Sequence, residues 1–393
     1  MADMSNIVGM NRYDFVVVGA RCAGASVAML LARAGAKVLV IDRQEYGSDR
    51  LSTHALMRGA VMQLNHWGVL DRLIELGTPK ITQTVFRYGD EAVPVAIKPE
   101  GCVDCLIAPR RTVLDRVLVD AARSAGAEFR FGVVLTDFVR TDTGRIFGVL
   151  VNDRDGNTVE IKTDMVIGAD GRQSQVAKLA GAQIYRQGKH ASASVYGYYE
   201  GADLGGSQWY FGDNTAAGTI PTNDGQTCVF VNVPASKYSE IFRGDLPGGF
   251  METARANSAD LAEQLGEARL SGKLRGFLGC PGYFRQAYGD GWALVGDAGY
   301  FKDPMTAHGI TDALRDAGLL ADALTGTSVH DLALYQSWRD VLSAELFQIT
   351  DKIASFEWDL PTVQKLHHRL SSSMKSECEY LGRAMQMPNL VAA

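Results

Sequence analysis

The stretch that decides the fold is VVVGARCAGA, residues 16–25, near the start of the chain. A run of apolar residues from Phe15 to Val18 is typical of a strand buried on both faces, and a run of small residues follows Cys22. A strand, a glycine-containing turn and a helix in this order predict a loop that holds the phosphates of a nucleotide. The pattern Gly-x-Gly-x-x-Gly would place its second glycine at position 21, where this sequence has Arg21.

The loop keeps two of the three glycines that such a site uses. The first glycine allows the tight turn and the third allows the helix to pack closely on the strand, and Gly19 and Gly24 stand at these positions. Ala20 and Ala23 keep the surroundings small. Arg21 loses the close backbone approach of the second glycine, and we expect its guanidinium to contact the diphosphate instead.

A second strand and an acidic residue complete the unit. Residues 23–34 predict a helix and residues 37–41 a strand, which ends on Asp42, 23 positions after Gly19. A carboxylate there accepts hydrogen bonds from ribose hydroxyls and repels a 2′-phosphate, which disfavours NADP as the tightly bound nucleotide. We include the neighbouring Arg43 among the expected cofactor contacts. The unit predicts a dinucleotide but does not separate NAD from FAD.

Composition restricts the function classes. The chain has 393 residues, of which 46% are hydrophobic and 21% charged, a balance typical of a globular protein with about two domains. The net charge of −6 and the lack of a basic block argue against nucleic acid and anionic membrane surfaces as partners. The N-terminus has no secretory pattern and no segment has the roughly 20 apolar residues of a membrane span, so we expect a cytoplasmic protein. Cys102 and Cys105 have redox-like spacing without a thioredoxin-like context, and we expect inert thiols.

The order of the predicted helices and strands along the chain indicates an α/β protein with interleaved domains. We expect a Rossmann-like nucleotide-binding domain from residues 1–80, 100–185 and 280–330. Alternating strands with turn signals such as Asn223-Asp224-Gly225 predict a β-sheet-rich substrate domain from residues 81–99 and 186–279. Residues 331–393 are predicted to form C-terminal helices. The nucleotide domain is thus interrupted by the β-rich domain.

Three further segments carry a specific resemblance. They are MVIGADGRQSQVAKLAG (165–181), GWALVGDAGYFKDPMTAHGITDALRDA (291–317) and APRRTVLDRVLVDAARSAGAEFRFG (108–132). With the glycine-rich loop, they resemble the Asp-Gly motif, the Gly-Asp motif and the Arg-x-x-Leu-Asp helix of the p-hydroxybenzoate hydroxylase family. These are single-component flavoprotein monooxygenases with a glutathione-reductase-type FAD fold. The resemblance covers most of residues 12–330.

The resemblance implies FAD as the bound cofactor and NADPH or NADH as a transient reductant. In that family the residue matching Asp297 binds the ribityl hydroxyls, the one matching Arg111 approaches the phosphates, and the one matching Asp170 lies near flavin and nicotinamide. Ala307 replaces the first glycine of the family's Pro-x-x-Gly-x-Gly loop beside the isoalloxazine. The other expected FAD contacts are Arg50, Gly171, Gly296, Pro304, Gly309 and Ile310. A helix starting after this loop would favour negative charge on reduced flavin.

Candidate catalytic and substrate-binding residues are chosen by their position in the sequence relative to the expected flavin. His308 and Pro304 lie in the loop beside the expected flavin and His54 lies in the flavin-side loop before a helix, although each histidine also suits a structural role. Aromatic and apolar side chains of the β-rich part are expected to line a pocket for a planar substrate, and the candidates are Tyr198, Trp209, Phe211 and Pro221. Trp209 and Phe211 share one strand face. The sequence has no cluster with metal-ligand spacing, so we expect no metal site.

The resemblance therefore predicts an FAD-dependent oxidoreductase. Its first candidate function is an NAD(P)H- and O₂-dependent monooxygenase that hydroxylates an aromatic or polyketide-like small molecule through a flavin hydroperoxide. A geranylgeranyl-reductase-like enzyme that saturates a double bond shares the fold, and so does a flavin-bound protein that binds or senses without turnover. A halogenase is disfavoured because the Trp-x-Trp-x-Ile-Pro motif is missing. Substrate identity, the choice of nicotinamide and the oligomeric state stay open.

Overall fold

The computed structural model describes residues 12–49, 55–99, 103–201, 204–326 and 331–386. The strands in these ranges are β1 (Arg12–Val18), β2 (Val38–Asp42), β3 (Lys80–Ile81), β4 (Gln83–Tyr88), β5 (Glu91–Ala96), β6 (Leu106–Ile107), β7 (Glu128–Phe131), β8 (Val134–Arg140), β9 (Ile146–Asn152), β10 (Thr158–Gly168), β11 (Ile184–Gln187), β12 (Ser192–Glu200), β13 (Ser207–Gly212), β14 (Thr215–Pro221), β15 (Thr227–Pro234), β16 (Arg269–Phe277), β17 (Tyr283–Arg285), β18 (Tyr288–Gly289), β19 (Trp292–Leu294) and β20 (Tyr300–Phe301). The helices are α1 (Cys22–Arg33), α2 (Arg58–His66), α3 (Leu70–Glu75), α4 (Arg111–Ser124), α5 (Gln175–Ala180), α6 (Tyr238–Phe242), α7 (Leu246–Asn257), α8 (Ala259–Glu267), α9 (Gly309–Thr325), α10 (Asp331–Ile353) and α11 (Leu360–Ala384).

A mostly parallel sheet forms the centre of the α/β part. Its strand order is β18-β19-β10-β1-β2-β7, and β8 and β9 add an antiparallel extension beside β10. In the centre, Val16 lies beside Leu39 of β2 and Val166 of β10, and all three side chains are fully buried. Helices α1, α4 and α9 cover one face, whereas α5 and the β8–β9 extension cover the other. Burial on both faces explains why these strands read as continuous apolar runs.

The second large sheet has the order β16-β12-β15-β14-β13-β4-β5. Strand β4 joins it by parallel pairing with β13, which brings residues 83–96 together with residues 192–277. The turn predicted at Asn223–Gly225 connects β14 to β15, and Asp224 adopts a left-handed φ of 62° in it. Helices α6, α7 and α8 cover one face of this sheet.

The C-terminal helices pack on the opposite face of the second sheet, at one end. Apolar residues of α10 and α11, among them Leu346 and Val363, are buried against Phe211 of β13 and Met305 of the loop before α9. The C-terminal helices therefore contact both the second sheet and the α/β part. No helix among the described residues combines the length and the apolar character needed to cross a membrane.

The predicted fold class, an α/β Rossmann-like domain with a β-rich part and C-terminal helices, is confirmed. Two local predictions were incomplete. The helix expected after the loop of His54 is two helices, α2 and α3, because Gly68 adopts a φ of +69° and ends the first. Helices α6 to α8 were not predicted within the β-rich part, although Asp245 and Ser258 provide N-caps that signal α7 and α8.

Candidate active site

The turn after β1 requires glycine at the first and third glycine positions of the nucleotide-binding pattern, Gly19 and Gly24. Gly19 has a φ of +107°, and a Cβ on it would lie 2.4 Å from the carbonyl oxygen of Ala169. A Cβ on Gly24 would lie 1.8 Å from the carbonyl oxygen of Gly19. The structure thus explains Gly19 and Gly24 by backbone contact, as predicted for a tight turn followed by a closely packed helix.

Asp42 holds the loop from the end of β2. Its Oδ2 accepts a hydrogen bond from the backbone N–H of Ala20 at 2.8 Å, and its Oδ1 accepts one from the N–H of Gln44 at 2.7 Å. The side chain is buried at the carboxyl edge of the parallel sheet. Arg43, the next residue, is exposed. The arrangement brings the predicted acid directly to the glycine-rich loop.

Arg21 does not extend freely from the loop but joins a buried ion-pair cluster. Its Nη1 lies 3.0 Å from Oδ2 of Asp115, and its guanidinium also donates to the backbone oxygen and hydroxyl of Ser48. Arg111 donates to both carboxylate oxygens of Asp115 at 3.0–3.1 Å. Two guanidinium groups therefore share one carboxylate, which leaves an excess positive charge beside the loop. Asp115 was missed in the sequence, although its position four residues after Arg111 on a helix signals an ion pair.

The Asp-Gly motif lies beside the same turn. Asp170 Oδ2 accepts hydrogen bonds from the N–H groups of Gln175 and Val176 at 2.7 and 3.1 Å, at the start of α5. Its buried Oδ1 has no hydrogen-bond partner among the described residues, and burial raises the pKa of this carboxyl. Gly171 follows with a φ of +79°. A buried carboxylate oxygen without a partner is expected to meet a donor that a ligand brings.

The Gly-Asp motif packs against the first loop. Gly296 has a φ of +60°, and a Cβ on it would lie 2.9 Å from the Cβ of Ala23 and 3.5 Å from that of Ala313. Ala23 lies in the first turn of α1 and Ala313 near the start of α9, so two helix N-termini converge on this turn. Burial raises the pKa of the adjacent Asp297 to about 6, although the charge of Arg172 opposes this effect.

The loop before α9 contains a capped turn and one residue with a left-handed backbone conformation. Asp303 caps the turn Pro304–Thr306 by accepting from the N–H of Met305, and it also accepts from the backbone and hydroxyl of Ser192 at 2.6 Å. Ala307, where the resembled family has glycine, adopts a left-handed φ of 49°.

Open space adjoins the start of α9. Gly309 and Ile310 begin this 17-residue helix, Gly309 is exposed, and a Cβ on it would meet no atom within 4 Å. The N–H groups of a first helical turn have no partner within the helix, and they favour an anionic group.

His308 has an acidic partner that sequence inspection did not find. Its Nε2 lies 2.7 Å from Oε2 of Glu377, and both side chains are buried. Glu377 lies 69 residues away on α11, so no local pattern signals the contact. His308, Asp312 and Glu377 are close enough together to suggest a metal site. However, Lys302 pairs with Asp312, and Arg315 pairs with both carboxylates, so the cluster is an ion-pair network.

The substrate candidates separate into two groups. Tyr198 belongs to an apolar cluster that contains Ala307 of the α9 loop. Trp209 packs against this cluster, edge-on to Phe230 at 5.2 Å between ring centroids, and also against the cluster at the C-terminal helices. Phe211 instead packs against the C-terminal helices, 4.4 Å from the ring of His367.

Further side chains lie around this cluster or away from it. Pro221 is half-buried at the hairpin end of β14. Arg110 was missed in the sequence, and its guanidinium lies over the Tyr198 ring at 3.6 Å. Arg50, His54 and Cys102 lie outside the described residues. Burial raises the pKa of the Cys105 thiol to about 11.

These parts fit a flavin dinucleotide. The three sequence motifs meet at the carboxyl edge of one parallel sheet, where ligands bind in open α/β folds. The site offers a glycine cradle, an acid at each of two strand ends, of which Asp42 is buried, an excess positive charge and two helix N-termini. In addition, Oδ1 of Asp170, Nδ1 of His308 and Oγ1 of Thr311 are buried without partners among the described residues.

Comparison with known families agrees with this geometry. The sequence model described as FAD binding domain matches residues 12–332. This chain belongs to that family of flavoproteins. The resemblance to the p-hydroxybenzoate hydroxylase family is thereby confirmed, and the chain is an FAD-dependent oxidoreductase.

Known relatives differ in their reactions. A curated digeranylgeranylglycerophospholipid reductase of Methanococcoides burtonii is 26% identical over 326 residues, which cover 81% of this chain and 76% of that protein. Among solved structures, the flavin-dependent brominase Bmp2 matches with a TM-score of 0.79 at 18% identity, covering 94% and 93% of the two chains. PqsL, a probable FAD-dependent monooxygenase from Pseudomonas aeruginosa, matches with a TM-score of 0.76 at 19% identity, covering 93% and 100%. The structural matches establish the fold.

Proposed function

We propose that this oxidoreductase is a monooxygenase that uses NADPH or NADH and O₂ to hydroxylate a compact, apolar, planar small molecule. The observation that carries the proposal is the apolar cluster between the second sheet and the loop before α9. Tyr196, Tyr198 and Phe230 of the sheet form this cluster together with Ala307, and Trp209 packs against it. The cluster places aromatic side chains next to the turn where the cofactor site ends, and aromatic walls favour flat substrates.

The shape of the apolar face supports a compact substrate. At the far end of the sheet, Phe211 is covered by α11 through His367, and Trp358 closes the same region. Side chains therefore already fill this end of the apolar face. The part of the face next to Ala307 suits a ring system better than a polyprenyl tail.

The roles of the chain's own residues follow from their contacts. Gly19, Asp42 and Asp297 would hold the dinucleotide, and Arg21 and Arg111 would supply positive charge for its diphosphate. The apolar cluster at Ala307 would exclude water and orient the substrate ring. When bound, FAD supplies the transfer of electrons from a nicotinamide donor and the activation of oxygen.

A second candidate function is the reduction of a carbon–carbon double bond. The curated relative from Methanococcoides burtonii is named as a reductase of a prenylated lipid, and it covers 81% of this chain. The same cofactor site serves both reactions, since they differ in what accepts the electrons. The two candidates therefore differ in their need for oxygen and in the mass of the product.

The deciding experiment measures NADPH and NADH oxidation by the FAD-loaded protein with and without oxygen. The substrate panel contains phenols, polyketide-like aromatics and a prenylated lipid. A monooxygenase oxidises the nicotinamide faster with an aromatic substrate, in air only, and the product gains one oxygen atom. A product that gains two hydrogen atoms under anaerobic conditions would establish the reductase instead. Nicotinamide oxidation that no compound stimulates would contradict both and favour a flavin-bound binding protein.

A pair of tryptophan variants tests where the substrate binds. Trp209→Ala removes an aromatic wall of the cluster at Ala307, so we expect KM for the substrate to rise about tenfold while FAD remains bound. Trp338→Ala is the control, because Trp338 is exposed on α10. Equal KM values for both variants would show that the substrate does not use this face.

A further inference from the structure

A cavity of about 410 Å³ lies between α1, α2, α9, α10 and α11. Its walls are mostly apolar, and they include Leu30, Trp67, Leu319, Leu334, Leu381 and Met385. Its volume is within the range of small-molecule sites, roughly 300–1,000 Å³. Asp322, which lines it, comes 13 positions after Gly309, about 20 Å further along the axis of α9. The cavity is therefore separate from the cofactor site at the start of that helix.

Gln63 brings an unpaired hydrogen-bond donor to this cavity. Gln63 is 2% exposed, and its Nε2 has no hydrogen-bond partner among the described residues. Gly318 of α9 faces this side chain, since a Cβ on Gly318 would lie 3.7 Å from Oε1 of Gln63. A buried donor without a partner costs about 1–3 kcal/mol, so an acceptor on a bound molecule would recover this energy.

A carboxyl group lies on the same side of the cavity. Asp322 follows Gly318 by one helical turn on the same face of α9, which places it about 5–6 Å further along the cavity. It is half-buried, and burial raises its pKa to about 7, because no hydrogen bond or ion pair with a described residue opposes the effect. Asp322 therefore lacks the cation that would stabilise its ionised form.

The other titratable groups of the cavity do not supply that cation. Arg315 lines the cavity, but its guanidinium is hydrogen-bonded to three carboxylates. The remaining titratable lining residues are His66, Asp331 and Tyr380, and among the described residues none forms an ion pair with Asp322. Asp331 is a second acid, so the lining favours a positively charged ligand over a negatively charged one.

Two aromatic rings adjoin the carboxyl group. The rings of Trp338 and Tyr380 both line the cavity, with 5.2 Å between their centroids. Burial raises the pKa of Tyr380, and the charge of Asp322 raises it further, which places this phenol near the carboxyl group. Aromatic faces attract organic cations as well as apolar groups. A carboxyl group and aromatic rings between apolar walls are therefore suited to an organic ammonium ion.

We propose that this cavity binds a small amphipathic amine, whose ammonium group pairs with Asp322 and whose oxygen acceptor receives a hydrogen bond from Nε2 of Gln63. The apolar walls hold the rest of the molecule. The ammonium group stabilises the ionised form of Asp322, so binding is coupled to loss of the carboxyl proton to solvent. This inference goes beyond the proposed function, because it requires neither FAD nor the reaction.

The test measures by calorimetry how 2-(4-methoxyphenyl)ethylamine binds to the protein saturated with FAD. The methoxy oxygen accepts hydrogen bonds and donates none, and 3-(4-methoxyphenyl)propanoate and 4-ethylanisole are the matched anion and neutral compound. We expect the amine to bind about tenfold or more tightly than the neutral compound, and the anion not to bind. Affinity for the amine should be about tenfold higher at pH 8 than at pH 6, because a carboxyl group with a pKa of about 7 is mostly ionised only at the higher pH.

Variants of the cavity assign this binding to named side chains. Asp322→Asn should weaken amine binding about tenfold and abolish its pH dependence. Gln63→Leu should weaken binding about fivefold without lowering the melting temperature of the amine-free protein, because it removes an unpaired buried donor. Glu379→Gln is the control, an exposed carboxylate of α11 outside the cavity, and should bind the amine as the wild type does.

The results that would overturn the proposal are equally specific. Equal affinities for the amine and the neutral compound would refute the pairing with Asp322. A pH dependence that persists in Asp322→Asn would refute it too, and would assign the titration to another lining group such as His66. Amine binding that neither cavity variant weakens would place the ligand elsewhere, and no binding at millimolar amine would refute the site. A lowered melting temperature in Gln63→Leu would contradict the role of Gln63 as an unpaired donor.

Discussion

The Cα of Gly19 faces the carbonyl oxygen of Ala169 so closely that a Cβ would lie 2.4 Å from that oxygen. The two residues are 150 positions apart, and they connect the glycine-rich loop to the Asp-Gly motif. The Gly-Asp motif joins them from β19, where the N–H of Val295 donates to the carbonyl of Gly168 at 2.9 Å. Close backbone contact therefore fixes the relative positions of all three motifs.

Replacing Gly19 tests this contact. Gly19→Ala places a methyl group against backbone at a left-handed φ, so we expect a loss of about 2–4 kcal/mol of stability and a loss of FAD binding. Gly266→Ala is the control, since Gly266 lies in α8 and a Cβ there meets no atom within 4 Å. It should be neutral or stabilising by up to about 1 kcal/mol. Thermal unfolding and FAD titration measure both effects, and an intact FAD site in Gly19→Ala would contradict the prediction.

Ala307 carries backbone strain that glycine would relieve. Its φ of 49° is disfavoured for a residue with a Cβ, by about 1–2 kcal/mol, while glycine adopts it freely but loses more entropy on folding. Ala307→Gly should therefore raise the melting temperature slightly, by the equivalent of about 1 kcal/mol or less, and Ala307→Val should lower it. A destabilised glycine variant, measured with saturating FAD, would contradict the prediction and show that the buried methyl group of Ala307 contributes more than the strain costs.

The raised pKa of the Asp297 carboxyl leads us to expect that FAD binding depends on pH. Burial raises the pKa of this carboxyl to about 6, above its ordinary value, so it is largely protonated below pH 6 in the protein without ligand. Ribityl hydroxyls donate to the ionised form, hence FAD affinity should rise as pH increases from 5 to 7 and level off above. We expect binding about tenfold weaker at pH 5 than at pH 7. Asp297→Asn should bind FAD more weakly, with a flat profile over this range; a profile as steep as that of the wild type would exclude Asp297 as the cause.

Replacing Arg21 tests whether its positive charge contributes to binding of the FAD diphosphate. Arg21 and Arg111 share the carboxylate of Asp115, and removing one guanidinium removes the excess positive charge. Arg21→Gln should weaken FAD binding about tenfold, roughly 1.4 kcal/mol, and reduce its sensitivity to salt. Arg123→Gln, in the last turn of α4, is the control. Equal affinities for the two variants would assign Arg21 a purely structural role with Asp115 and Ser48.

Much of the α/β part could be predicted because its signals are local. Strand β1, the turn at Gly19 and Asp42 at the end of β2 lie within 31 residues, and burial on both faces makes the strands continuous apolar runs. The division of residues 58–75 into two helices was harder to predict, since the break between α2 and α3 depends on the positive φ of Gly68. Apolar periodicity does not register such a turn.

The partners of the site residues could be predicted only in part. Arg111 and Asp115 are four residues apart on one helix, so their ion pair follows from helical spacing. His308 and Glu377 are brought together by the packing of α11 against α2 and α10, which no sequence interval reveals. The division of the aromatic candidates between the flavin loop and the C-terminal helices likewise depends on tertiary contacts.

The most direct test of the central claim is a titration of the refolded, cofactor-free protein with FAD, followed by flavin absorbance and calorimetry. The account predicts one FAD per chain, with binding lost in Gly19→Ala and weakened in both Asp297→Asn and Arg21→Gln, which alter two of the converging motifs and the adjoining charge cluster. A folded chain that binds no FAD, or binds it equally well in all three variants, would contradict the convergence of the three motifs on a single flavin.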